Sequence, residues 1–384
     1  MSPLSDVVVI GAGVFGAWTA HHLAKGGASV TLVDAYGPGN SRSSSGDESR
    51  ILRCGYGPDE IYSHFARRSR EIWRELEAEH DPALPFWHPC GMLWTATTDD
   101  SYLAQTLATL ERGHFSVERL DRSALRRRYP QFEPGEVVRA MLEPDAGVLM
   151  ARRSIQVLAA DLSRRGVRVV RARAVPPTVR GAVESIQLTD GTGLSARSYV
   201  FACGAWLSGM FPAVLGPKIT PTRQVVMYFG TPPGDEHFVA ARMPAWIDFG
   251  TGMYTIPDLE GRGVKVGIDT HGPRFDPDTG DRTLDAASID AARAWLRRRI
   301  PVLADAPLVE SRVCQYENTS NGDFLIDRHP ELANVWLVGG GSGHGFKHGP
   351  AVGEEAARLV LTGRDAHPRF ALATKGAEAR RAVY

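Results

Sequence analysis

The stretch Asp6-Val-Val-Val-Ile-Gly11-Ala-Gly13-Val-Phe-Gly16 decides the fold of this chain. Val7 to Ile10 is an apolar, β-branched run with the length of a buried strand. Small and apolar residues then recur at helical spacing up to Lys25, and a second apolar run, Val30 to Val33, ends at Asp34. This order predicts a strand, a glycine turn, a helix and a second strand, which is the unit that binds dinucleotides.

Each glycine of this stretch has a separate task. Gly11 permits the tight turn after the strand, Gly13 lets the backbone approach a pyrophosphate, and Gly16 lets the helix pack close to the sheet. The carboxylate that ends the second strand is placed to bind a ribose. A chance glycine-rich turn is the alternative, and the pattern does not separate NAD from FAD. The predicted cofactor-binding residues here are Gly11, Gly13, Val14, Phe15, Gly16 and Asp34.

A second glycine loop lies near the other end of the chain. It follows a predicted strand, Asn334 to Val338, and precedes a helix in which Pro350 suits the first turn. NAD dehydrogenases do not usually need a second helix N-terminus, whereas the reduced isoalloxazine ring of FAD carries negative charge that such a terminus stabilises. The loop therefore favours FAD. Its predicted cofactor-binding residues are Gly343, His344, Gly345, Phe346 and Lys347.

The rest of the chain predicts an α/β (α+β) fold in which two domains are interleaved. The region 217–306 contains alternating segments typical of antiparallel strands, whereas the flanking regions have buried strands and helices. We expect a Rossmann-type FAD-binding domain and a second, antiparallel-sheet domain that binds the substrate. The predicted ranges are 1–85, 145–216 and 307–384 for the FAD domain, and 86–144 and 217–306 for the substrate domain.

Composition excludes several classes of function. The 384 residues carry 44 basic and 44 acidic side chains, so the chain lacks the basic surface expected for nucleic-acid binding. No apolar run approaches the ~20 residues of a membrane span, and no basic leader precedes the first strand, so we expect a cytoplasmic protein with no membrane partner. Four cysteines without a C-x-x-C pair give no metal motif, and we expect no metal.

Three further motifs give the chain a family resemblance. They are Gly46-Asp-Glu-Ser-Arg-Ile-Leu-Arg53, Cys314-Gln-Tyr-Glu-Asn-Thr319 and Ser342-Gly-His-Gly-Phe-Lys347. With the amino-terminal glycines, these motifs resemble the monomeric sarcosine oxidase family, which includes N-methyltryptophan oxidase and pipecolate oxidase within the wider D-amino acid oxidase-like flavoproteins. The likeness runs nearly end to end. It implies a monomer that uses FAD to oxidise a small amine with O2 as acceptor.

The resemblance also implies roles for individual residues. Cys314 corresponds to the cysteine that binds FAD covalently through a thioether, with Arg312 as the nearest cation in sequence; the alternative is a structural cysteine. Lys265 corresponds to the lysine held over the flavin, where its charge assists O2 reduction; the alternative is a surface lysine. Arg50 corresponds to an arginine close to the flavin.

The substrate site is implied in the same way. Arg53 and Lys347 correspond to the cations that bind a substrate carboxylate, although ordinary salt bridges are an alternative. Tyr254 corresponds to an active-site tyrosine, with a packed aromatic ring as its alternative. Two positions depart from the family, because Asp269 and Ser45 stand where sarcosine oxidases have histidines. We expect Ser45 to contact the cofactor and Asp269 to act in catalysis with Lys265, Tyr254 and Arg50. Asp269 makes the predicted site more acidic, so the substrate need not be sarcosine.

We therefore expect an oxidase of N-methyl or cyclic α-amino acids that gives an imine and hydrogen peroxide. Three alternatives stay open at this point. The chain could be a flavin dehydrogenase with another electron acceptor, a tailoring enzyme that acts on a larger biosynthetic amine, or a non-catalytic FAD-binding or NAD-dependent protein.

Overall fold

The computed structural model describes residues 5–98 and 101–376, so residues 1–4 and 377–384 of the predicted FAD domain and residues 99–100 of the predicted substrate domain lie outside it. The strands are β1 (Ser5–Ile10), β2 (Val30–Asp34), β3 (Ser49–Leu52), β4 (Trp87–His88), β5 (Met92–Ala96), β6 (Glu118–Leu120), β7 (Arg139–Glu143), β8 (Gly147–Met150), β9 (Arg168–Arg171), β10 (Ile186–Gln187), β11 (Gly193–Leu194), β12 (Ala196–Phe201), β13 (Ile219–Phe229), β14 (Ala245–Asp248), β15 (Met253–Ile256), β16 (Val264–Ile268), β17 (Leu308–Thr319), β18 (Leu325–Arg328) and β19 (Val335–Gly339). The helices are α1 (Val14–Lys25), α2 (Glu60–Ala78), α3 (Ser101–Arg112), α4 (Arg122–Arg128), α5 (Ala151–Arg164), α6 (Leu207–Met210), α7 (Pro212–Leu215), α8 (Ala286–Arg299) and α9 (Gly349–Thr362).

A six-stranded sheet joins strands from the first and last parts of the described chain, in the order β18-β19-β12-β1-β2-β9. Its pairs are parallel except for β18 with β19. The first strand is therefore flanked by β2 and by β12, which is almost 200 residues away. The Rossmann-type fold that the opening stretch predicts is confirmed, and helices α1 and α9 pack against each other beside this sheet.

An eight-stranded sheet has the order β17-β13-β16-β15-β14-β5-β7-β6. Its pairs are antiparallel, as predicted, with one exception: β14 runs parallel to β5. A parallel pair needs a long connection, and here almost 150 residues separate the two strands. Strand β17 pairs with β13 along its length and so belongs to this sheet, although its residues fall within the segment 307–384 that was predicted for the FAD domain. The division into domains stays a prediction.

The turn after β1 shows why two of its glycines are required. Gly11 has a φ of +106°, a conformation that side chains disfavour. A Cβ atom on Gly16 would lie 1.8 Å from the carbonyl oxygen of Gly11. Helix α1 can approach the end of the strand this closely only without that side chain.

We expect Gly16→Ala to destabilise the cofactor-free protein by about 1–3 kcal/mol, because the helix must move away from the turn. The free energy of unfolding in denaturant measures this loss. Gly209→Ala is the matched control, since a Cβ there has no atom within 4 Å. An equal loss in both variants would contradict the steric explanation.

Candidate functional site

A single cavity of about 820 Å³ joins the two glycine loops and the face of the eight-stranded sheet. Its walls contain all the site residues predicted from the sequence except Gly16, which lies beneath the first turn. Those that line it are Gly11, Gly13, Val14, Phe15, Asp34, Ser45, Arg50, Arg53, Tyr254, Lys265, Asp269, Cys314, Gly343, His344, Gly345, Phe346 and Lys347.

The first glycine loop is fixed by side chains from two neighbouring segments. The Asp34 carboxylate accepts the Ala12 N–H at 2.8 Å, and the Ser45 hydroxyl accepts the Val14 N–H at 3.0 Å. The other oxygen of Asp34 accepts the N–H groups of Tyr36 and Gly37, both at 2.8 Å. Asp34 therefore holds the turn as well as facing the cavity. The start of helix α1 is held in place before any ligand arrives.

The second glycine loop ends in a short 3₁₀ turn, Phe346–His348, that leads into α9. Pro350 lies in the first turn of this helix, as predicted. His344 braces the loop: its Nε2 is 3.0 Å from the Gly322 carbonyl oxygen, and its ring stacks on Phe324 at 4.8 Å. The loop that precedes helix α9 thus lines the cavity on a second side, through Gly343, His344, Gly345, Phe346 and Lys347.

Lys265 is buried at the cavity wall and forms an ion pair with Asp47. Its side chain is 1% exposed, and its ammonium group also donates to the Ser49 carbonyl at 2.9 Å. Asp47 forms a second ion pair with Arg50, whose guanidinium nitrogen lies 2.5 Å from the carboxylate oxygen. Although burial opposes ionisation, these two charges hold the pKa of Asp47 well below its usual value. The surface-lysine alternative for Lys265 is therefore wrong.

Cys314 belongs to the same group of contacts. The Arg50 guanidinium, which pairs with Asp47, also lies 3.5 Å from the Cys314 sulfur. The sequence pointed to Arg312 as the cation near this cysteine. Instead, Arg312 pairs with Glu48 at 2.8 Å and Glu310 at 2.5 Å. The predicted sulfur and ammonium are thus brought together, through Asp47 and Arg50.

Two further cations, Arg53 and Lys347, lie at another part of the wall. The Arg53 guanidinium carbon is 4.5 Å from the ring centroid of Tyr56. The Lys347 ammonium group donates to the Tyr56 hydroxyl at 2.9 Å and to the His344 carbonyl at 3.1 Å. Burial and the charge of Arg53 hold the pKa of Lys347 well below its usual value. An incoming anion would relieve this repulsion.

Asp269 is an acidic residue of the cavity wall whose charge acts on both Arg53 and Lys347. Burial raises the pKa of its carboxyl to about 6, although the charges of Arg53 and Lys347 and a hydrogen bond from Tyr316 oppose the shift. The Tyr316 hydroxyl donates at 3.2 Å. Tyr254 also lines the cavity and lies over the Gly267 backbone, and burial raises the pKa of its hydroxyl. Acidic, basic and phenolic side chains therefore line the same cavity.

Three residues that complete the site were not predicted from the sequence. Asp47 lies inside the quoted Gly46–Arg53 motif, so an acid three residues before Arg50 was the available signal in the sequence. Tyr56 contacts Lys347, and Tyr316 contacts Asp269. Their roles depend on contacts between distant segments, which spacing in the sequence does not reveal.

The described part of the chain contains no cluster of three or more histidine, cysteine or acidic side chains arranged to hold a metal. Within residues 5–98 and 101–376, no helix is both long and apolar enough to span a bilayer.

A strand, glycine turn and helix unit facing a cavity with a second helix start defines a dinucleotide-binding oxidoreductase. The family described as DAO, FAD dependent oxidoreductase, matches residues 6–359. The chain belongs to this family.

Individual relatives agree with the family assignment. A monomeric sarcosine oxidase of Bacillus sp. (strain B-0618) is 32% identical over 379 residues, covering 96% of this chain and 95% of the relative. An N-methyl-L-tryptophan oxidase of Salmonella heidelberg (strain SL476) is 25% identical, covering 93% and 94%. The L-proline dehydrogenase structure from P. horikoshii superposes with a TM-score of 0.84 at 21% identity, covering 97% and 98%, and shows the shared fold. The resemblance found in the sequence is confirmed.

We expect Asp47→Asn to cost about 3–5 kcal/mol of unfolding free energy in the cofactor-free protein, because Lys265 loses its buried partner. The depressed pKa of Asp47 means that its contribution is present above the unfolded pKa of about 4 and is lost only in stronger acid. Denaturant unfolding at pH 7 measures the loss in the variant, and unfolding of the wild type at a series of pH values below about 4 measures the acid effect.

The matched control is Glu111→Gln, which breaks the exposed pair with Arg119. That pair is worth about 0.2–1 kcal/mol. Similar losses in the two variants would show that the Asp47 pair does not stabilise the site.

Proposed function

We propose that this protein is an FAD-dependent oxidase of a secondary amine, an N-methyl or cyclic α-amino acid. The carrying observation is that Arg53 and Lys347 meet at the wall of a cavity that also contains Lys265 and Cys314. Two cations for a carboxylate therefore share one space with the groups expected around a flavin. The similarity to sarcosine and N-methyltryptophan oxidases over most of the chain supports the same class of substrate.

The residues of the cavity fit FAD. The first glycine turn and the start of α1 suit a pyrophosphate, and Asp34, which lines the same cavity, is the acid that would bind a ribose. The second loop brings another helix start, where an anionic ring edge is stabilised. When bound, FAD would accept a hydride equivalent, which carries two electrons, from the substrate, and would pass those two electrons to O2, which with two protons gives hydrogen peroxide.

The protein's own residues would bind and orient the substrate. Arg53 offers a planar fork to the carboxylate, and Lys347 offers a point charge from the other side. The amine must lose its proton before its C–H bond can be oxidised. Asp269 lines the same cavity, and its carboxyl, with a pKa of about 6, changes charge near neutral pH. The product is an imine, which either stays cyclic or is hydrolysed by water to an aldehyde and a primary amine.

Lys265 would supply the fixed positive charge that favours electron transfer to O2. Its burial excludes water from the ammonium group, and the contacts with Asp47 and Ser49 fix its position. A fixed charge in a dry site needs no reorganisation during the reaction. We propose hydrogen peroxide as the second product, with the enzyme acting as a cytoplasmic monomer.

A panel of N-methyl amino acids, pipecolate, proline and sarcosine tests the function directly. Without oxygen, the substrate should bleach the flavin absorbance of the purified protein, and under air each turnover should release one hydrogen peroxide. Bleaching without peroxide would favour a dehydrogenase, and a colourless protein would exclude the proposal. Size-exclusion chromatography and cell fractionation test the monomer and its location.

We expect acid-precipitated wild-type protein to stay yellow, because Cys314 is proposed to hold FAD covalently. Cys314→Ala should release all of its flavin into the supernatant, measured by absorbance. Cys90→Ala is the control, since Cys90 is not among the cavity residues. Release of flavin from the wild type would contradict covalent attachment while leaving FAD binding intact.

Lys265→Met should slow flavin reoxidation by O2 roughly 10²–10³-fold, because it removes the fixed charge. Reduction by the substrate without oxygen should change far less, and stopped-flow absorbance separates the two steps. Lys218→Met, whose ammonium group bonds the Lys375 carbonyl away from the cavity, should leave both rates unchanged. Equal slowing of both steps by Lys265→Met would refute the proposed role.

A larger biosynthetic amine is the second candidate substrate, favoured by Asp269 at a position where sarcosine oxidases have histidine.

We expect kcat/KM to rise as pH passes through about 6, where Asp269 loses its proton and attracts the cationic amine. Asp269→Asn should abolish this limb. Tyr316→Phe should move it to higher pH, because the Tyr316 hydrogen bond favours the carboxylate. An unchanged limb in both variants would assign it to another group.

A further inference from the structure

A buried carboxylate, Glu143, lies behind the cavity wall at the end of β7. Glu143 is only 3% exposed to solvent. One oxygen accepts the Cys54 N–H at 2.7 Å; the other accepts the Gly55 N–H at 3.1 Å and the Trp94 indole N–H at 2.9 Å. Glu143 is not among the residues that line the cavity, so it does not meet a substrate directly.

All three donors to Glu143 are in contact with Arg53 or follow it in the chain. Cys54 and Gly55 come directly after Arg53, and the Gly55 carbonyl accepts a hydrogen bond from the Arg53 guanidinium. The Trp94 ring lies under the same guanidinium, with its centroid 4.7 Å from the Arg53 carbon. The carboxylate thus fixes both the backbone that carries Arg53 and the ring on which it rests.

We propose that Glu143 is a positioning residue that sets the Arg53 guanidinium for the carboxylate of the substrate. This inference rests on the proposed function, in which Arg53 binds that carboxylate. Glu143 extends from the eight-stranded sheet to the segment after β3, so it fixes Arg53 relative to the sheet that carries Lys265 and Asp269. A bidentate contact depends on orientation, and a displaced guanidinium binds less well.

Methoxyacetate is a suitable probe, because it carries a carboxylate and an ether oxygen in place of the amine. Its dissociation constant is measured by titration of the flavin absorbance in the FAD-loaded protein. Glu143→Gln presents an amide N–H₂ group where a backbone N–H needs an acceptor. We expect the dissociation constant to rise roughly tenfold, with KM for the amino acid rising similarly and kcat changing less than twofold.

Asp248→Asn is the matched control. Asp248 is a fully buried carboxylate of the same sheet that accepts the Trp295 indole N–H and the Arg299 guanidinium, each at 3.0 Å. It does not line the cavity. This variant should lower the melting temperature and leave methoxyacetate binding unchanged. Equal weakening by both variants would show a general effect of stability and overturn the inference.

A double-mutant cycle with Arg53→Lys shows whether Glu143 acts through Arg53. The double variant should bind methoxyacetate no more weakly than Arg53→Lys alone, whereas additive losses would overturn the inference. Trp94→Phe, which removes one donor and keeps the ring, should weaken binding two- to fivefold and serves if Glu143→Gln does not fold. Wild-type protein that binds methoxyacetate but oxidises no amino acid would refute the proposed function alone.

Discussion

The site depends on one buried carboxylate held between two cations. Asp47 accepts the ammonium group of Lys265 and the guanidinium of Arg50, and its second oxygen accepts the Tyr228 hydroxyl at 3.1 Å. Without Asp47, two like charges would face each other in a dry space, which the protein could not sustain. Because Arg50 also reaches Cys314, this one acid links the residue proposed to assist O2 with the residue proposed to hold FAD.

The second group of charges in the cavity wall, Arg53, Lys347 and Asp269, differs from the group around Asp47 in how its charges are paired. Arg53 and Lys347 approach each other while Asp269 stays under the influence of both, and none of these three forms an ion pair among the described residues. Their charges are therefore available to a ligand. The cavity wall thus contains one group of charges paired around Asp47 and a second group, Arg53, Lys347 and Asp269, in which each charge acts on the others without a direct ion pair among the described residues.

The sequence predicted those parts of the structure that depend on neighbours along the chain. The turn at Gly11 and the helix start at Pro350 follow from local sterics, so both were found correctly. The parallel pair of β5 and β14 was not, because strand direction in a sheet depends on where a long connection returns. Arg312 was the nearest cation to Cys314 in sequence, yet Arg50, which is 264 residues away in the chain, makes the contact. The proximity of Lys265 and Cys314 was reached only through a family resemblance.

The cavity takes its walls from both ends of the chain, since Gly11 and Lys347 line the same space. During synthesis, the amino-terminal glycine turn leaves the ribosome long before the second loop exists. The six-stranded sheet is likewise incomplete at this stage. Strand β12, which pairs with β1, is made about halfway through translation, and β19, which pairs with β12, is made later. A nascent chain therefore has no complete receptacle for the cofactor. The complete cavity can form only after the segment that carries Lys347 has been made, so the amino-terminal unit by itself offers a cofactor only part of these walls.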